Sequence, residues 1–215
     1  MRLRKKPWAE PEMRQDPKVL FEPVEKRGHW QAEFGNDRPI HLELGCGKGQ
    51  FIIEMAKQYP DINFIALDYQ HEVLVYLLRD ANEAGLKNIR ILPSMADLLL
   101  EYFDANEIEK IYIQFCNPWP KVRHQKRRLT HPRFLKIYDG FLQEGGSIHF
   151  KTDHADLFDD SLDYFDQSGF DALKISRDLH HDDLPPMPKT EYETKFTAMG
   201  MPIHFGLFQK QRIDP

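Results

Sequence analysis

The chain has 215 residues, of which 41% are hydrophobic, 29% are charged and 12% are aromatic, and its formal net charge is -5. An aromatic content at this level excludes an intrinsically disordered chain, and the length favours one folded domain over two. The longest apolar run covers only residues 73–78, so we expect neither a membrane-spanning segment nor a signal peptide.

Cysteine is rare in this sequence. The two cysteines, Cys46 and Cys116, have no companions that could form a disulfide framework or a zinc site. We therefore predict a cytoplasmic protein that holds no metal.

Residues 1–38 are predicted to form an irregular arm ahead of a folded domain at residues 39–215. Prolines interrupt the arm, and it begins with the basic residues Arg2, Arg4, Lys5 and Lys6.

From residue 40 onward, short apolar runs alternate with amphipathic ones, which is typical of a parallel sheet covered by helices. Seven strands are predicted, at residues 40–44, 63–68, 89–92, 110–115, 147–151, 172–176 and 203–209. Six helices are predicted between them, at residues 50–58, 72–84, 96–102, 132–142, 157–167 and 191–198. This order predicts an α/β fold with a single doubly wound, mostly parallel, seven-stranded sheet. A proline-rich loop at residues 179–189 could act as a flap.

Three glycines lie where the first predicted strand turns into the first helix. Gly45, Gly47 and Gly49 carry no Cβ and would let a ligand approach the backbone closely, and Glu43 precedes them by two positions. Their G-x-G-x-G spacing departs from the dinucleotide fingerprint, whose third glycine would fall at Gln50. The loop therefore fits NAD less well.

A second acidic residue, Asp68, ends the second predicted strand. A carboxylate at this place can accept hydrogen bonds from the two hydroxyls of a ribose. The pattern suits S-adenosylmethionine and resembles that of the class I methyltransferases. We expect Glu43 to serve the amino-acid end of this cofactor, Asp68 its ribose, and Met95, after the third strand, to lie near its adenine.

A polar turn follows the fourth predicted strand, at the edge where open α/β sheets bind ligands. The turn reads Asn-Pro-Trp-Pro from Asn117 and leads into a basic segment at residues 121–128. Five residues of this segment are basic: Lys121, Arg123, Lys126, Arg127 and Arg128. In a chain that is acidic as a whole, this local cluster indicates a phosphate-bearing substrate.

Two later motifs add polar residues to the same predicted edge. The run G-G-S-I-H-F-K-T-D places Lys151 and Asp153 at the end of the fifth strand. The run T-E-Y-E, residues 190–193, opens the last helix, where Thr190 and Glu193 also fit a capping box. A structural role and a substrate-binding role are both open for these two residues, and the roles can coexist.

Together, these motifs resemble those of the bacterial tRNA (guanine-N7-)-methyltransferases. The resemblance extends over nearly the whole chain and includes the basic start at residues 1–8. It implies a class I, Rossmann-like methyltransferase that uses S-adenosylmethionine to methylate N7 of a variable-loop guanosine, tRNA position 46, to 7-methylguanosine. It also implies tRNA as the partner, and we expect a monomer or a homodimer.

The resemblance assigns a role to most of the candidate site residues. The cofactor contacts would be Glu43, Gly45, Gly47, Gly49, Asp68, Met95 and Asn117. The tRNA contacts would be Lys121, Asp153, Thr190, Glu191, Tyr192 and Glu193, joined at the phosphates by Arg123 and Arg127. Asn117 is the expected catalytic residue.

The chain departs from the family pattern at two positions, because the family usually has Asp before Pro-Trp and commonly has Asp at the place of Met95. The amide oxygen of Asn117 can accept a hydrogen bond. A neutral side chain cannot offset the positive charge that builds on guanine as N7 is alkylated.

Two other functions stay open from the sequence. Asn117-Pro118-Trp119 resembles the N-P-P-aromatic motif of methyltransferases that act on amino groups of adenine or glutamine, although Trp119 stands where the second proline belongs. Alternatively, the chain could be a tRNA-binding homologue that has lost turnover through Asn117. Such a protein would bind tRNA with a salt-sensitive affinity and produce no methylated base.

Overall fold

Seven strands form one sheet in the computed structural model, which describes residues 5–182 and 187–211. They are β1 Ile40–Leu44, β2 Asn63–Asp68, β3 Ile89–Pro93, β4 Ile108–Gln114, β5 Leu142–Thr152, β6 Phe170–Ser176 and β7 His204–Lys210. Their order in space is β3-β2-β1-β4-β5-β7-β6, and only β7 runs antiparallel to its neighbours. The predicted mostly parallel, doubly wound sheet is confirmed.

Helices cover both faces of this sheet. They are α1 Ala9–Met13, α2 Trp30–Phe34, α3 Gln50–Gln58, α4 His71–Glu83, α5 Leu99–Tyr102, α6 Pro132–Asp139, α7 Ala155–Gln167 and α8 Glu191–Ala198, with 3-10 helices at Val24–Lys26, Ala96–Leu98 and Val122–Arg127. Among the described residues, no helix combines the length and the apolar character needed to cross a membrane.

The bounds of several elements agree with the sequence prediction. β1, β2, α3 and α8 begin and end at the predicted residues. The largest difference lies between α6 and β5, because the helix ends at Asp139 and the strand begins at Leu142. Gly140 disfavours continuation of the helix, and Leu142 pairs with Ile108 in the sheet. Residues 141 and 142 are apolar and continue the helical period, so the sequence predicts a longer helix. In the structure they follow the helix, and Leu142 is the first residue of β5.

The described part of the amino-terminal segment is less irregular than the sequence predicts. It contains α1, α2 and the 3-10 turn, and Met13 and Trp30 are fully buried. The indole of Trp30 donates a hydrogen bond to the carbonyl oxygen of Tyr102 at 2.8 Å. Each helix has only five residues, which is too short for a helical period to develop in sequence. The domain boundary at residue 39 stays a prediction, and residues 1–4, with Arg2 and Arg4, lie outside the described residues.

The predicted flap at residues 179–189 is described in part, because residues 183–186 lie outside the described residues. Its first residue is tied to the sheet end by a hydrogen bond from the backbone nitrogen of Leu179 to the carbonyl oxygen of Ile203, at 2.8 Å. Its action as a flap stays a prediction.

The strand order explains why polar residues from distant motifs meet. The chain moves from β1 outward through β2 and β3 on one side, and then from β4 through β5 on the other. Ligands of open α/β sheets bind at this switch point, outside the carboxyl ends of the strands. The ends of β1 to β5 therefore bring the glycine loop, Asp68, Asn117 and Asp153 to one edge of the sheet.

Gly49 joins the glycine loop to the core by close packing. Its φ is +78°, and a Cβ built on it would lie 2.2 Å from Cδ1 of Leu77, which is fully buried in α4. Gly47 also has a positive φ, +56°, but a Cβ there would meet nothing within 4 Å. The two glycines thus share a strained backbone region but differ in free space.

We expect Gly49→Ala to reduce the free energy of unfolding by about 2–4 kcal/mol, because it adds overpacking against Leu77 to the cost of left-handed backbone. Gly47→Ala, the matched control, should cost only about 1–2 kcal/mol. Urea unfolding of both variants measures the difference. Equal losses would contradict a packing role for Gly49.

Candidate active site

The glycine loop is held against the end of β2 by backbone hydrogen bonds. The nitrogens of Gly45 and Cys46 both donate to the carbonyl oxygen of Leu67, at 2.8 and 3.1 Å. The nitrogen of Gly47 donates to Oδ2 of Asp68 at 3.1 Å. The two predicted parts of a cofactor site, the glycine loop and the acidic end of β2, are therefore in direct contact.

Glu43 is buried beneath this loop, with a relative exposure of 3%. Its Oε2 atom has no hydrogen-bond partner within the described parts of the chain. Burial raises the pKa of Glu43 to about 8, and the nearby charge of Asp68 adds to this shift. Burial also raises the pKa of Asp68, although hydrogen bonds from the nitrogens of Gln70 and Gly47 oppose the shift.

These features fit a cationic ligand with a ribose. An unpartnered carboxylate can accept hydrogen bonds from an ammonium group, and the half-buried Asp68 can accept from hydroxyls. The residues at the ends of β1 and β2 would thus hold S-adenosylmethionine, whose amino-acid and ribose ends carry these groups.

Met95 lies after β3, directly before the 3-10 helix Ala96–Leu98. Its relative exposure of 54% shows that it does not fill the core. An exposed thioether at this edge of the sheet leaves an apolar surface for a flat ring. Its contact with adenine stays a prediction.

The turn after β4 has a strained backbone. Phe115 and Trp119 have positive φ values of 50° and 42°, which residues with a Cβ seldom adopt. Asn117 lies between them on the surface, and its Oδ1 accepts a hydrogen bond from the backbone nitrogen of Trp119 at 3.1 Å. Strain of this kind clusters at functional sites. Asn117 therefore helps to close the turn, whatever further role it has.

The basic segment continues as the 3-10 helix Val122–Arg127. The side chains of Lys121, Arg123, Lys126 and Arg127 are exposed. The guanidinium of Arg127 lies 5.1 Å from the ring centroid of Trp119, a cation–π contact that links this segment to the turn. These four cations line the rim of the site, where phosphates could reach them.

Arg128 differs from its neighbours, and its prediction as a phosphate contact is wrong. It has a relative exposure of only 2%, its Nε donates to the carbonyl oxygen of Pro118 at 2.9 Å, and its Nη1 forms an ion pair with Asp160. Its charge is thus used to hold the Asn-Pro-Trp-Pro turn against α7. The sequence alone could not separate Arg128 from the other basic residues, because the five form one run.

The T-E-Y-E motif begins α8 as a helix cap. Oγ1 of Thr190 accepts a hydrogen bond from the nitrogen of Glu193 at 2.9 Å, so the capping role of Thr190 is present. The side chain of Glu193 pairs with Lys151 instead of completing the capping box. Glu191 lies 3.2 Å from Nζ of Lys48 in the glycine loop. The exposed ring of Tyr192 stacks on Phe115, with 6.3 Å between centroids. The start of α8 thereby contacts both the cofactor loop and the turn after β4.

Glu193 forms a buried ion pair with Lys151 of β5. The two side chains are each 2% exposed, and Nζ lies 3.1 Å from Oε2. Nε2 of His180 lies 3.7 Å from the other carboxylate oxygen. Burial lowers the pKa of Lys151, and the charge of Glu193 opposes that shift. Asp153 is half-buried two residues further on.

Sequence reasoning missed Gln114, the last residue of β4. It lies within the apolar run that predicted the strand, and it is 6% exposed with both polar side-chain atoms unpaired in the described regions. A polar residue near the end of a buried strand was the available signal.

We expect Lys151→Met to lower the free energy of unfolding by about 3–5 kcal/mol, because it leaves the Glu193 carboxylate buried without its partner. Adding Glu193→Gln should recover part of this loss. Lys48→Met, the control, breaks the exposed pair with Glu191 and should cost at most about 1 kcal/mol. Equal costs in Lys151→Met and Lys48→Met, measured by urea unfolding, would argue against a buried pair.

Glu43 should make the free protein less stable as pH rises. Its pKa is about 8 in the fold and about 4.3 in an unfolded chain. Between these values the folded state binds the extra proton, so stability falls with rising pH by up to about 1.4 kcal/mol per pH unit.

Glu43→Gln should therefore gain about 2–4 kcal/mol relative to the native chain between pH 5 and pH 8. The exposed Glu54→Gln variant is the control and should follow the native pH profile. Unfolding by urea across this range measures both, and parallel profiles for native chain and Glu43→Gln would refute the assignment.

Comparison with known proteins identifies the family. A family model described as "Putative methyltransferase" matches residues 37–205. The chain is 50% identical over 209 residues to a tRNA (guanine-N(7)-)-methyltransferase of Desulfitobacterium hafniense, covering 97% of this chain and 98% of the relative. It is 52% identical over 205 residues to the enzyme of the same name from Clostridium tetani, covering 95% and 97%.

Solved structures agree on the fold. The 16S rRNA methyltransferase KamB has a TM-score of 0.63 at 14% identity, over 86% of this chain and 93% of that one. A mutant of the 16S rRNA (adenine(1408)-N(1))-methyltransferase of Catenulisporales acidiphilia, solved with its cosubstrate SAM, has a TM-score of 0.61 at 11% identity, over 87% and 93%. The resemblance inferred from the motifs is confirmed: the chain belongs to the bacterial tRNA (guanine-N7-)-methyltransferase family.

Proposed function

We propose that this protein transfers the methyl group of S-adenosylmethionine to N7 of a guanosine in tRNA, forming 7-methylguanosine, and that the target is the variable-loop guanosine at tRNA position 46. This reaction is the one that the names of the relatives state. The observation that supports it best is that two features lie at one sheet edge. They are Glu43, buried under a glycine loop with its Oε2 unpaired among the described residues, and a row of exposed cations at residues 121–127.

Glu43, Asp68 and the glycine loop would hold the cofactor, with Met95 beside its adenine. When bound, S-adenosylmethionine supplies an electrophilic methyl group on a sulfonium. Burial raises the pKa values of Glu43 and Asp68 in the free protein, and a cationic ligand beside them would favour their charged forms and lower those pKa values again.

The reaction requires mainly that the protein position the guanine base and the methyl donor. N7 of guanine has a free lone pair and loses no proton on methylation, so no general base is needed. The residues at the site must orient the base, exclude water and offset the charge that builds on the ring. Asn117 would orient the base or the methyl donor from the strained turn. Asp153 would supply the negative charge that Asn117 lacks, since the charge of Glu193 is balanced by Lys151.

The tRNA would be held at its phosphates and at the edges of the base. Lys121, Arg123 and Arg127 suit the phosphates, because they are exposed on the rim. The exposed ring of Tyr192 offers a stacking surface for an unstacked base. Asp153 or Glu193 would accept hydrogen bonds from N1-H and the 2-amino group of guanine. A tRNA substrate suits a cytoplasmic protein that does not act at a membrane. We expect the protein to act as a monomer or a homodimer.

The amino-group alternative finds less support in the turn. That chemistry needs the Asn117 oxygen to accept a hydrogen bond from the amine under attack. Oδ1 accepts from the nitrogen of Trp119 and keeps a second lone pair, so the argument against this alternative is that Trp119 stands where its motif has a second proline. A tRNA-binding homologue without turnover differs from the proposed enzyme only in the product it forms.

The decisive experiment measures methyl incorporation from labelled S-adenosylmethionine into unmodified tRNA transcript, with the modified base identified. The native chain should form 7-methylguanosine, and a transcript with adenosine at position 46 should remain unlabelled. Asn117→Asp, assayed side by side, tests whether a carboxylate at this place adds rate. Methylated adenine would favour the amino-group alternative. Binding without product, with activity restored in Asn117→Asp, would favour the binding homologue.

We expect Lys121→Ala, Arg123→Ala and Arg127→Ala each to weaken tRNA binding at all sequences and to reduce the slope of log affinity against log salt by roughly one. Lys57→Ala, at the end of α3 away from the site edge, should leave both unchanged. Filter binding at several salt concentrations measures this. An unchanged slope in all three variants would place the phosphates elsewhere.

A further inference from the structure

Gln114 is a buried polar side chain without a partner in the described parts of the chain. It ends β4 with a relative exposure of 6%, and neither Oε1 nor Nε2 makes a hydrogen bond to any described residue. Burial of an unpaired carboxamide is costly, so such groups in native proteins call for an explanation. Ligands of open α/β sheets bind at the carboxyl ends of the strands, so a ligand at this place can supply the missing hydrogen bonds.

The strand register shows which side of the sheet Gln114 occupies. Gln114 pairs with Lys151 on β5, and Tyr112, two residues earlier, pairs with Glu43 on β1. Alternate residues of a strand share a face. Glu43, Gln114 and Lys151 therefore lie on one face of the sheet, where Gln114 and Lys151 form a row in register and Glu43 lies one pair further back from the edge of the site.

Helix α8 lies over this row. Lys151 binds Glu193 at 3.1 Å, and the residue after Gln114, Phe115, stacks with Tyr192 and contacts Phe196 at a centroid distance of 6.0 Å. Gln114 thus lies on the sheet face that carries Glu43 and that α8 covers through the pair of Glu193 with Lys151.

We propose that Gln114 is a specificity-determining residue, whose Nε2 donates a hydrogen bond to O6 of the target guanine while Glu193 accepts from N1-H and the 2-amino group. This inference rests on the proposed function. Lys151 cannot replace this donor without leaving Glu193, since the two are paired. The amide is neutral, so it can approach O6 without adding to the positive charge that methylation builds on the base.

The two side chains together would reject adenine. Adenine presents an amino group at position 6 and an unprotonated N1. A rotated Gln114 amide could accept from that amino group, but the Glu193 carboxylate would then face the lone pair of N1. A site with buried hydrogen-bonding groups discriminates strongly against a base that leaves them unpaired.

The test compares Gln114→Met with the control Gln143→Met. The first change keeps the side-chain length and removes both polar atoms. Gln143 lies at the start of β5, at the sheet edge opposite to the site. We expect Gln114→Met to lower kcat/KM for tRNA by roughly 10- to 100-fold, as for loss of a buried hydrogen bond. Its affinity for S-adenosylhomocysteine should stay near that of the native chain, and its thermal midpoint should be equal or higher, because the unpaired polar atoms are removed. Gln143→Met should match the native chain in all three measurements.

A modified substrate isolates the contact with O6. A tRNA with 6-thioguanosine at the target position keeps N1-H and the 2-amino group and replaces O6 by a weak acceptor. The native chain should bind this tRNA less tightly than the guanosine form, with S-adenosylhomocysteine present. Gln114→Met should bind the two forms with nearly equal affinity, because the interaction that the sulfur weakens is already absent.

Three outcomes would overturn the inference. First, a loss of S-adenosylhomocysteine affinity in Gln114→Met would assign the side chain to the cofactor. Second, a Gln114→Met variant as active as the native chain would show that the side chain makes no contact needed for the reaction. Third, if Gln114→Met still binds the 6-thioguanosine tRNA more weakly than the guanosine form, by as much as the native chain does, another group contacts O6. Each of these requires a native chain that methylates guanosine in tRNA. A native chain without that activity would refute the proposed function instead.

Discussion

The buried ion pair between Lys151 and Glu193 is the contact on which the arrangement of the site depends. Two charges removed from water are tolerated only when they satisfy each other, so the pair fixes the first turn of α8 over the end of β5. With α8 in this place, Tyr192 lies against Phe115 and Glu191 reaches Lys48 of the glycine loop. One interaction thus joins the predicted cofactor side of the site to its predicted substrate side.

Charge is divided sharply across this edge of the sheet. The interior holds carboxylates whose pKa values burial raises, and the rim at residues 121–127 holds exposed cations. The first environment suits a cationic cofactor and the second a polyanion, although the whole chain is acidic. The strained turn from Phe115 to Trp119 separates them, and buried Arg128 holds that turn in place through the carbonyl of Pro118.

Agreement between sequence and structure depended on how far each pattern extends. β1 and α3 were predicted to the residue, because a continuous apolar strand followed by glycines and an amphipathic run leaves few alternatives. The five-residue helices of the amino-terminal segment were missed, since neither covers two turns. Arg128 was misassigned because a run of basic residues does not show which member turns inward.

The sequence by itself determined the fold class, the order of the elements, the family and the positions of the glycine loop and of Asp68, since these follow from local periodicity and from motifs of fixed spacing. Only the tertiary structure decided that Glu193 is paired with Lys151, that Arg128 is buried and that Gln114 has no hydrogen-bond partner among the described residues. The reason is physical: burial and pairing depend on distances between residues that are far apart in the chain, such as the 42 positions between Lys151 and Glu193, and those distances exist only once the sheet and α8 have packed together.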